Sequence, residues 1–375
     1  MAASQKIINE NKTRTDKTLF TEAGEGEPVE IESLRDEEEE ANFVARTISA
    51  LRGKSSELRG YNNYAILYRT NAQSYAFEKA FMRAGLPYKI IGGVRFYDRK
   101  EIKDVLAILK LVVNERDKVS LERVMKNVLS GVGEASVVKV LQAMDIKTEE
   151  NPEPLKDPAL LDILSSARAR GGFSKLLDFL WGLKEWENPG EIIKKVVEHF
   201  NFKELVDDGT PATEDRMGNL EVLISNAAAY SSLEDFLADA ALMSSADEAA
   251  ENSVTLMTIH AAKGLEFPVV FLVGMEEGLF PSARCTEEEA ELEEERRLAY
   301  VGMTRAMRKL FLTYAASRYS YNGRNYNMPS RFLTELGYDP YGSAGYRDLD
   351  GDGFTDFDED DFSDPFPEDL PVFEY

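Results

Sequence analysis

A polar turn, Thr258-Ile-His260-Ala-Ala-Lys263-Gly264-Leu-Glu266, separates two apolar runs, Val254–Thr258 and Val269–Val273. Each run is continuously apolar, as strands are when both faces of a parallel sheet are covered. Polar side chains that emerge between such strands stand at the rim of the sheet, where α/β proteins hold ligands. Taken singly, His260 and Lys263 equally suit a hydrogen-bonded turn histidine and a solvated cation. A phosphate cradle would take the form G-x-x-x-x-G-K-[ST] between a strand and a helix. Gly53-Lys-Ser55 has only the final triplet: position 48 is Ile, and Ala41–Leu51 reads as a helix, so we assign a surface turn. Arg35-Asp-Glu-Glu-Glu-Glu40 follows no apolar strand and reads as the solvated start of a helix. Near the C-terminus, Asp348, Asp350, Asp352, Phe354 (through its carbonyl), Asp356 and Glu359 fit the calcium-loop template D-x-D-x-D-G-x₅-E. Glycines and prolines flank that loop where paired helices should be, so a solvated acidic interaction tail is the preferred reading over a Ca²⁺ site.

The elements that must position these residues follow from periodicity. Tyr64–Tyr68 predicts a strand; Ala76, Phe77, Ala80, Phe81 and Ala84 recur at helical spacing; Gly85-Leu-Pro87 stops that helix; Tyr88–Ile91 predicts another strand. Asp98-Arg-Lys-Glu101 has the form of a capping box, predicting a helix from Asp98 to about Val113. From there to about Ala250 the spacing predicts helices only: Leu121–Lys126, Ser136–Met144, Leu160–Arg168, Phe173–Trp186, Glu191–Phe200, Arg216–Tyr230 and Leu233–Met243. Strands resume at Val254–Thr258 and Val269–Val273, a helix is expected over Glu287–Ala306, and Leu310–Tyr314 completes the pattern. In that helix Arg296 and Arg297 follow a run of Glu and are expected to pair within it. The implied fold class is α/β: a parallel-sheet domain (1–107 and 251–336) interrupted by an all-α insertion (108–250) and followed by a disordered acidic tail (337–375).

The string from Thr258 to Pro268, with Glu294-Glu-Arg-Arg-Leu-Ala-Tyr-Val-Gly-Met-Thr-Arg-Ala306, resembles the last two motifs of UvrD/PcrA/Rep-type superfamily 1 DNA helicases. Ala65-Ile-Leu-Tyr-Arg-Thr-Asn-Ala-Gln-Ser74, Gly92–Asp104 and Pro329-Ser-Arg-Phe-Leu333 are similar to further stretches of that family, so the likeness covers residues 5–336. It implies a RecA-like second motor domain with an inserted helical domain. By the same resemblance Glu266 contacts the sugar of ATP, with Gly264 beside it, and Arg305 reaches the γ-phosphate. A planar, permanently charged fork can meet two oxygens as charge spreads in phosphoryl transfer, worth about 10³ to 10⁵ in rate. Thr258, His260 and Lys263, together with Arg69, Thr70 and Asn71, would lie along single-stranded DNA. Tyr75 stands where the family commonly has Arg. Val128–Ser136 resembles a hairpin in which Gly131 and Gly133 let backbone N–H groups approach a duplex phosphate, although Ser130 and Glu134 weaken that contact.

What the resemblance does not find here is the phosphate loop, the magnesium-binding acids and the aromatic strand platform of the family's first motor domain. The expected cofactor, ATP with Mg²⁺, is therefore shared with a first RecA-like domain, which is itself an expected partner beside single-stranded and forked DNA. Residues 5–20 look like family sequence cut in mid-helix, so a fragment inactive as an ATPase on its own is expected. A non-enzymatic DNA- or partner-binding module and a fragment of a related helicase-nuclease are the alternatives. The formal charge of −24 argues against a nucleic-acid protein, but Gly337–Tyr375 carries 13 acidic residues against one arginine, half of the excess. Exposed charges act over only about 10 Å at 0.1 M salt, so a local cationic groove survives that balance. One cysteine, Cys285, excludes an internal disulfide, and His199 and His260 alone make a structural zinc site improbable. The absence of an apolar leader or spanning run leads us to expect a cytoplasmic protein with no membrane contact and a protein partner for the tail.

Overall fold

The computed structural model describes residues 2–13, 27–150, 155, 159–164, 166–183, 188–210, 212–244, 251–286, 288–320 and 323–340. Met1–Tyr338 forms one compact unit. The tail from residue 341, with the calcium-loop pattern at 348–359, lies outside the described residues.

The chain opens with α1 (Ala2–Asn9), then β1 (Glu30–Asp36), α2 (Glu37–Lys54), β2 (Tyr64–Tyr68), α3 (Ser74–Arg83) and β3 (Tyr88–Ile91). The helical insertion follows: α4 (Lys100–Val113), α5 (Lys118–Asn127), α6 (Glu134–Glu150), α7 (Ala159–Ile163), α8 (Ala167–Gly182), α9 (Pro189–His199), α10 (Phe202–Val206), α11 (Ala212–Ala227) and α12 (Leu233–Ser244). The sheet resumes with β4 (Val254–Thr258) and β5 (Phe267–Leu272), then α13 (Glu289–Met303), β6 (Ala306–Ser320), β7 (Gly323–Tyr326) and α14 (Arg331–Glu335). Strand order is β1-β6-β5-β2-β4-β3, all parallel, with β7 antiparallel to the end of β6.

Alternation along β2 shows how the sheet is covered. Tyr64, Ile66 and Tyr68 join the core under α2 and α3, while Ala65 and Leu67 join the opposite core with Ile7, Ala299, Met303 and Phe332. Because both faces are buried, every residue of β2 is apolar. The insertion has its own core, which reaches into the sheet domain through Tyr75, Phe96 and Tyr97. Tyr75, where a cation was the family expectation, packs its ring 4.5 Å from Phe96 and 5.9 Å from Tyr97.

Several elements depart from the periodicity. α4 begins at Lys100, and the Asp98–Glu101 capping box does not form. Tertiary partners take both carboxylates: Asp98 receives Arg95 at 2.9 Å and Lys103 at 2.7 Å, and Glu101 receives Asn219 at 2.6 Å. The helix expected over Leu160–Arg168 breaks, because Ser166 accepts from the Ala169 N–H at 3.0 Å and starts α8 anew. The helix expected to run to Ala306 stops at Met303, and β6 begins at Ala306 and extends well beyond Leu310–Tyr314. Two polar strands gave no apolar signal: among the described residues β1 pairs along one side only, and β7 is exposed throughout.

The polar strand β1 runs into Arg35-Asp36, and the acidic run is not simply solvated. Asp36 caps α2 by accepting from the Glu39 N–H at 2.9 Å, and Glu37–Glu40 fill the positive N-terminal turn of the helix. Glu40, however, is fully buried and ion-paired with Arg318 at 2.6 Å.

Candidate functional site

Two loops meet where β2 and β4 end. Arg69, Thr70 and Asn71 follow β2; Thr258 ends β4 and His260 follows it; and the register pairs Tyr68 with Thr258, so both loops leave the sheet at the same level. Gln73 organises the first loop, its Oε1 accepting from the N–H of Arg69 at 3.0 Å and of Thr70 at 2.9 Å. Thr258 caps the 3-10 turn Ile259–Ala262, accepting from the Ala261 N–H at 3.4 Å. Arg69 donates bidentately to Glu295 on α13, and the Asn71 amide reaches Asp215 on α11 at 3.4 Å. Partial burial, then the neighbouring Arg69, holds His260 below the ordinary histidine pKa, against the opposing pull of Glu295, Glu294 and Asp215.

Gly274, just after β5, closes against this loop. Its φ is +69°, and an added Cβ would lie 2.2 Å from Gln73 Nε2 and 3.0 Å from Leu279 Cδ2. Gln73 cannot swing aside without releasing the two N–H groups it holds. Gly274→Ala is expected to destabilise the chain by about 1–3 kcal/mol through left-handed strain alone. Urea unfolding checks this, and Gln73→Ala in the same chain should recover the steric share; an unchanged unfolding midpoint for Gly274→Ala would show that the loop yields freely.

The turn that follows Thr258 does not stay at that edge. Thr258 pairs with Tyr68, three residues beyond Ala65, whereas Phe267 precedes by three residues Val270, the partner of Ala65. Residues 259–266 thus carry the chain back along the sheet by roughly 20 Å at ~3.3 Å per strand residue. Ile259 and Ala262 are buried on that passage, Lys263 is exposed, and Gly264 turns with φ +88° and nothing within 4 Å of an added Cβ. The single rim expected for this string is therefore two: Thr258 and His260 at the ends of strands, Glu266 at their beginnings.

Arg305 stands at the second edge with Glu266. The Phe267 N–H donates to the Arg305 carbonyl at 2.9 Å, and Phe267 pairs with Ala306 in the sheet. The guanidinium lies over the C-terminal end of α13, donating to Val301 O at 2.9 Å, Leu265 O at 3.0 Å and Thr304 Oγ1 at 3.0 Å. Those acceptors hold the cation beside the exposed Glu266 and the open glycine turn. As one wall of a nucleotide site this donor set fits: a permanent cation, a carboxylate for hydroxyl groups, and backbone without side-chain obstruction. No phosphate cradle accompanies it among the described residues. Gly53 and Lys54 end α2, and a helix C-terminus presents carbonyls, which repel phosphate. Nor do the described residues contain a cluster of three His, Cys, Asp or Glu fit for a metal ion.

Gly131 and Gly133 lie elsewhere, in the exposed turn between α5 and α6. Gly131 has φ +79°, and an added Cβ would lie 2.8 Å from Arg168, whereas Gly133 is open. Arg297 pairs within α13, with Glu293 and Glu294, as the spacing suggested. Arg296 does not: it reaches out of its helix to Glu335 at 3.0 Å and to Asn11 at 2.9 Å, tying α14 and the α1 segment to α13. Three further charged residues at the first edge were not picked out by the sequence reading, although Glu295 and Arg99 lie within motif-like stretches. Glu295 anchors Arg69; Arg284 is ion-paired with Glu214; and buried Arg99 donates to Asn71 O at 3.0 Å, Ser74 Oγ at 2.7 Å and Asn219 Oδ1 at 2.5 Å. Each is defined by a partner distant in sequence. No described helix is long and apolar enough to cross a membrane.

The chain is also similar to known proteins along most of its length. The chain is 37% identical over 354 residues to the ATP-dependent DNA helicase PcrA of Leuconostoc citreum, covering 89% of this chain and 47% of that protein. It is 37% identical over 356 residues to PcrA of Staphylococcus aureus (89% and 47%), and 37% identical over 354 residues to PcrA of Bacillus subtilis (90% and 47%). The chain thus spans about half the length of the curated relatives it matches. The model of the UvrD-like helicase C-terminal domain matches residues 1–158 and 177–317. With that match over most of its length, this chain belongs to the UvrD-like helicase C-terminal domain family.

Proposed function

We propose that this chain is the C-terminal motor half of an ATP-dependent 3′–5′ DNA helicase. In this reading residues 1–107 and 251–336 are the second RecA-like motor domain, 108–250 its inserted helical domain, and 337–375 an acidic tail that contacts a protein partner. The observation that carries it is the sorting of side chains to two edges of one sheet. Arg305 and Glu266 share the edge where β5 and β6 begin, and Arg69–Asn71 share with Thr258 and His260 the edge where β2 and β4 end. The Arg305 edge closes over ATP and Mg²⁺ cradled by a first RecA-like domain: Glu266 and Gly264 serve the sugar, and Arg305 the γ-phosphate. The Arg69 edge, with Lys263 on the passage between them, tracks single-stranded DNA at a fork, and Gly131 and Gly133 offer N–H groups to the duplex. The work is cytoplasmic and away from any membrane.

By itself the chain hydrolyses no ATP, because Arg305 has no cradled phosphate to meet. Purified chain supplied with Mg²⁺-ATP and single-stranded DNA is expected to show no turnover above background. It should nevertheless bind a fluorescein-labelled oligothymidylate with an affinity that falls as salt rises, as phosphate contacts require. DNA-stimulated turnover that disappears in Arg305→Ala would overturn the half-motor reading, and absence of oligonucleotide binding would remove the strand track.

A further inference from the structure

A carboxylate stands inside the proposed strand site, where simple electrostatics would exclude one. The Glu295 side chain is only 6% exposed and takes the fork of Arg69 on both oxygens, with Nε at 3.0 and 3.1 Å and Nη2 at 2.9 Å. Oε2 of Glu295 also accepts from the Ser282 N–H at 3.2 Å, which binds the turn beyond Phe280-Pro281 to the same group. Arg69 is 22% exposed, and its Nη1 makes no hydrogen bond among the described residues.

An arginine carries five N–H donors in one rigid plane, so it can serve two partners on two edges. Glu295 consumes the Nε/Nη2 edge and leaves the Nη1 edge. Moving Arg69 wholly onto a phosphate would strand a buried carboxylate without its cation, which a fold resists strongly. Arg69 therefore keeps Glu295 when a second anion arrives. We infer that Glu295 is a positioning residue of the strand site, holding the Arg69 guanidinium in one plane so that its free Nη1 edge meets a backbone phosphate of single-stranded nucleic acid. The inference rests on the strand-track reading above and gives that track a buried acidic anchor.

The sign of one substitution separates this arrangement from plain electrostatics. Removing a negative charge beside a phosphate track should tighten binding if charge alone counts. Here Glu295→Gln is expected to weaken oligothymidylate binding about tenfold, the loss of roughly one charge-assisted hydrogen bond. Arg69→Lys, which keeps the charge and loses the fork, should weaken it to a similar degree, and the double variant should be no worse than either single one. Glu294→Gln, one residue earlier with a side chain 73% exposed, serves as the charge control and should leave binding unchanged or tighter. Fluorescence anisotropy with the full chain reads all four. Binding that is unchanged or tighter in Glu295→Gln overturns the inference, because Glu295 would then only mask Arg69. If Glu295→Gln loses its cooperative thermal transition, Arg69→Lys decides, and wild-type affinity there overturns it equally. An unaltered chain that binds no oligothymidylate defeats the strand track itself, a result distinct from a track that binds without needing Glu295.

Discussion

Complemented by a domain that carries a phosphate loop, the chain with Arg305→Ala is expected to turn over ATP about 10³- to 10⁵-fold more slowly than the unaltered chain. A guanidinium stabilises charge on equatorial oxygens that develops only in the transition state, so its removal falls on kcat. Arg305→Lys should recover little, since an ammonium keeps the charge without the planar fork. The present hydrogen bonds of Arg305 to Val301 O and Leu265 O place it on the sheet edge opposite the Arg69 loop. Oligothymidylate affinity should therefore survive the substitution. A coupled assay of phosphate release checks the rate, and a loss below tenfold would remove Arg305 from the phosphate.

The largest loss of stability is expected from Arg318→Leu, about 3–5 kcal/mol. Arg318 joins α2, β6 and the loop after β5: it donates to Glu40 Oε2 at 2.6 Å, and to Glu276 Oε1 at 2.6 Å and Oε2 at 2.8 Å. Both carboxylates are fully buried. Burial disfavours the guanidinium charge, but Glu40 and Glu276 more than offset it and hold the pKa above its ordinary value. The carboxylates also serve the backbone: Glu40 accepts from Gly274 N at 2.9 Å and Thr313 Oγ1 at 2.6 Å, and Glu276 from Ala315 N at 2.8 Å and Asn327 Nδ2 at 2.6 Å. Removing the cation leaves two uncompensated charges in one core, so Glu40→Gln added to Arg318→Leu should regain part of the loss. Urea unfolding measures both variants, and a cost under about 1 kcal/mol would mean that the cluster opens to water.

The sequence by itself determined the sheet core, the helical insertion and the family. β2, β4 and β5 are buried on both faces and so are written as apolar runs, and α3 and the long helices bury one stripe at helical spacing. Contiguous motifs such as Thr258–Pro268 need no tertiary knowledge to be read. What the tertiary structure alone decided is where charges end up and which residues share an edge. The Glu37–Glu40 run looks solvated until β6 brings Arg318 onto Glu40, and Arg296 looks like a helix-surface partner until α14 brings Glu335. β1 and β7, paired at the margins of the sheet, carry little apolar residue content to announce them. The two ends of the Thr258–Glu266 string were read as one rim because sequence distance is short, whereas strand register carries the chain down the whole sheet between them. Periodicity reports burial along one element; electrostatic pairing and edge assignment depend on neighbours tens to hundreds of residues away, which only the packed chain specifies.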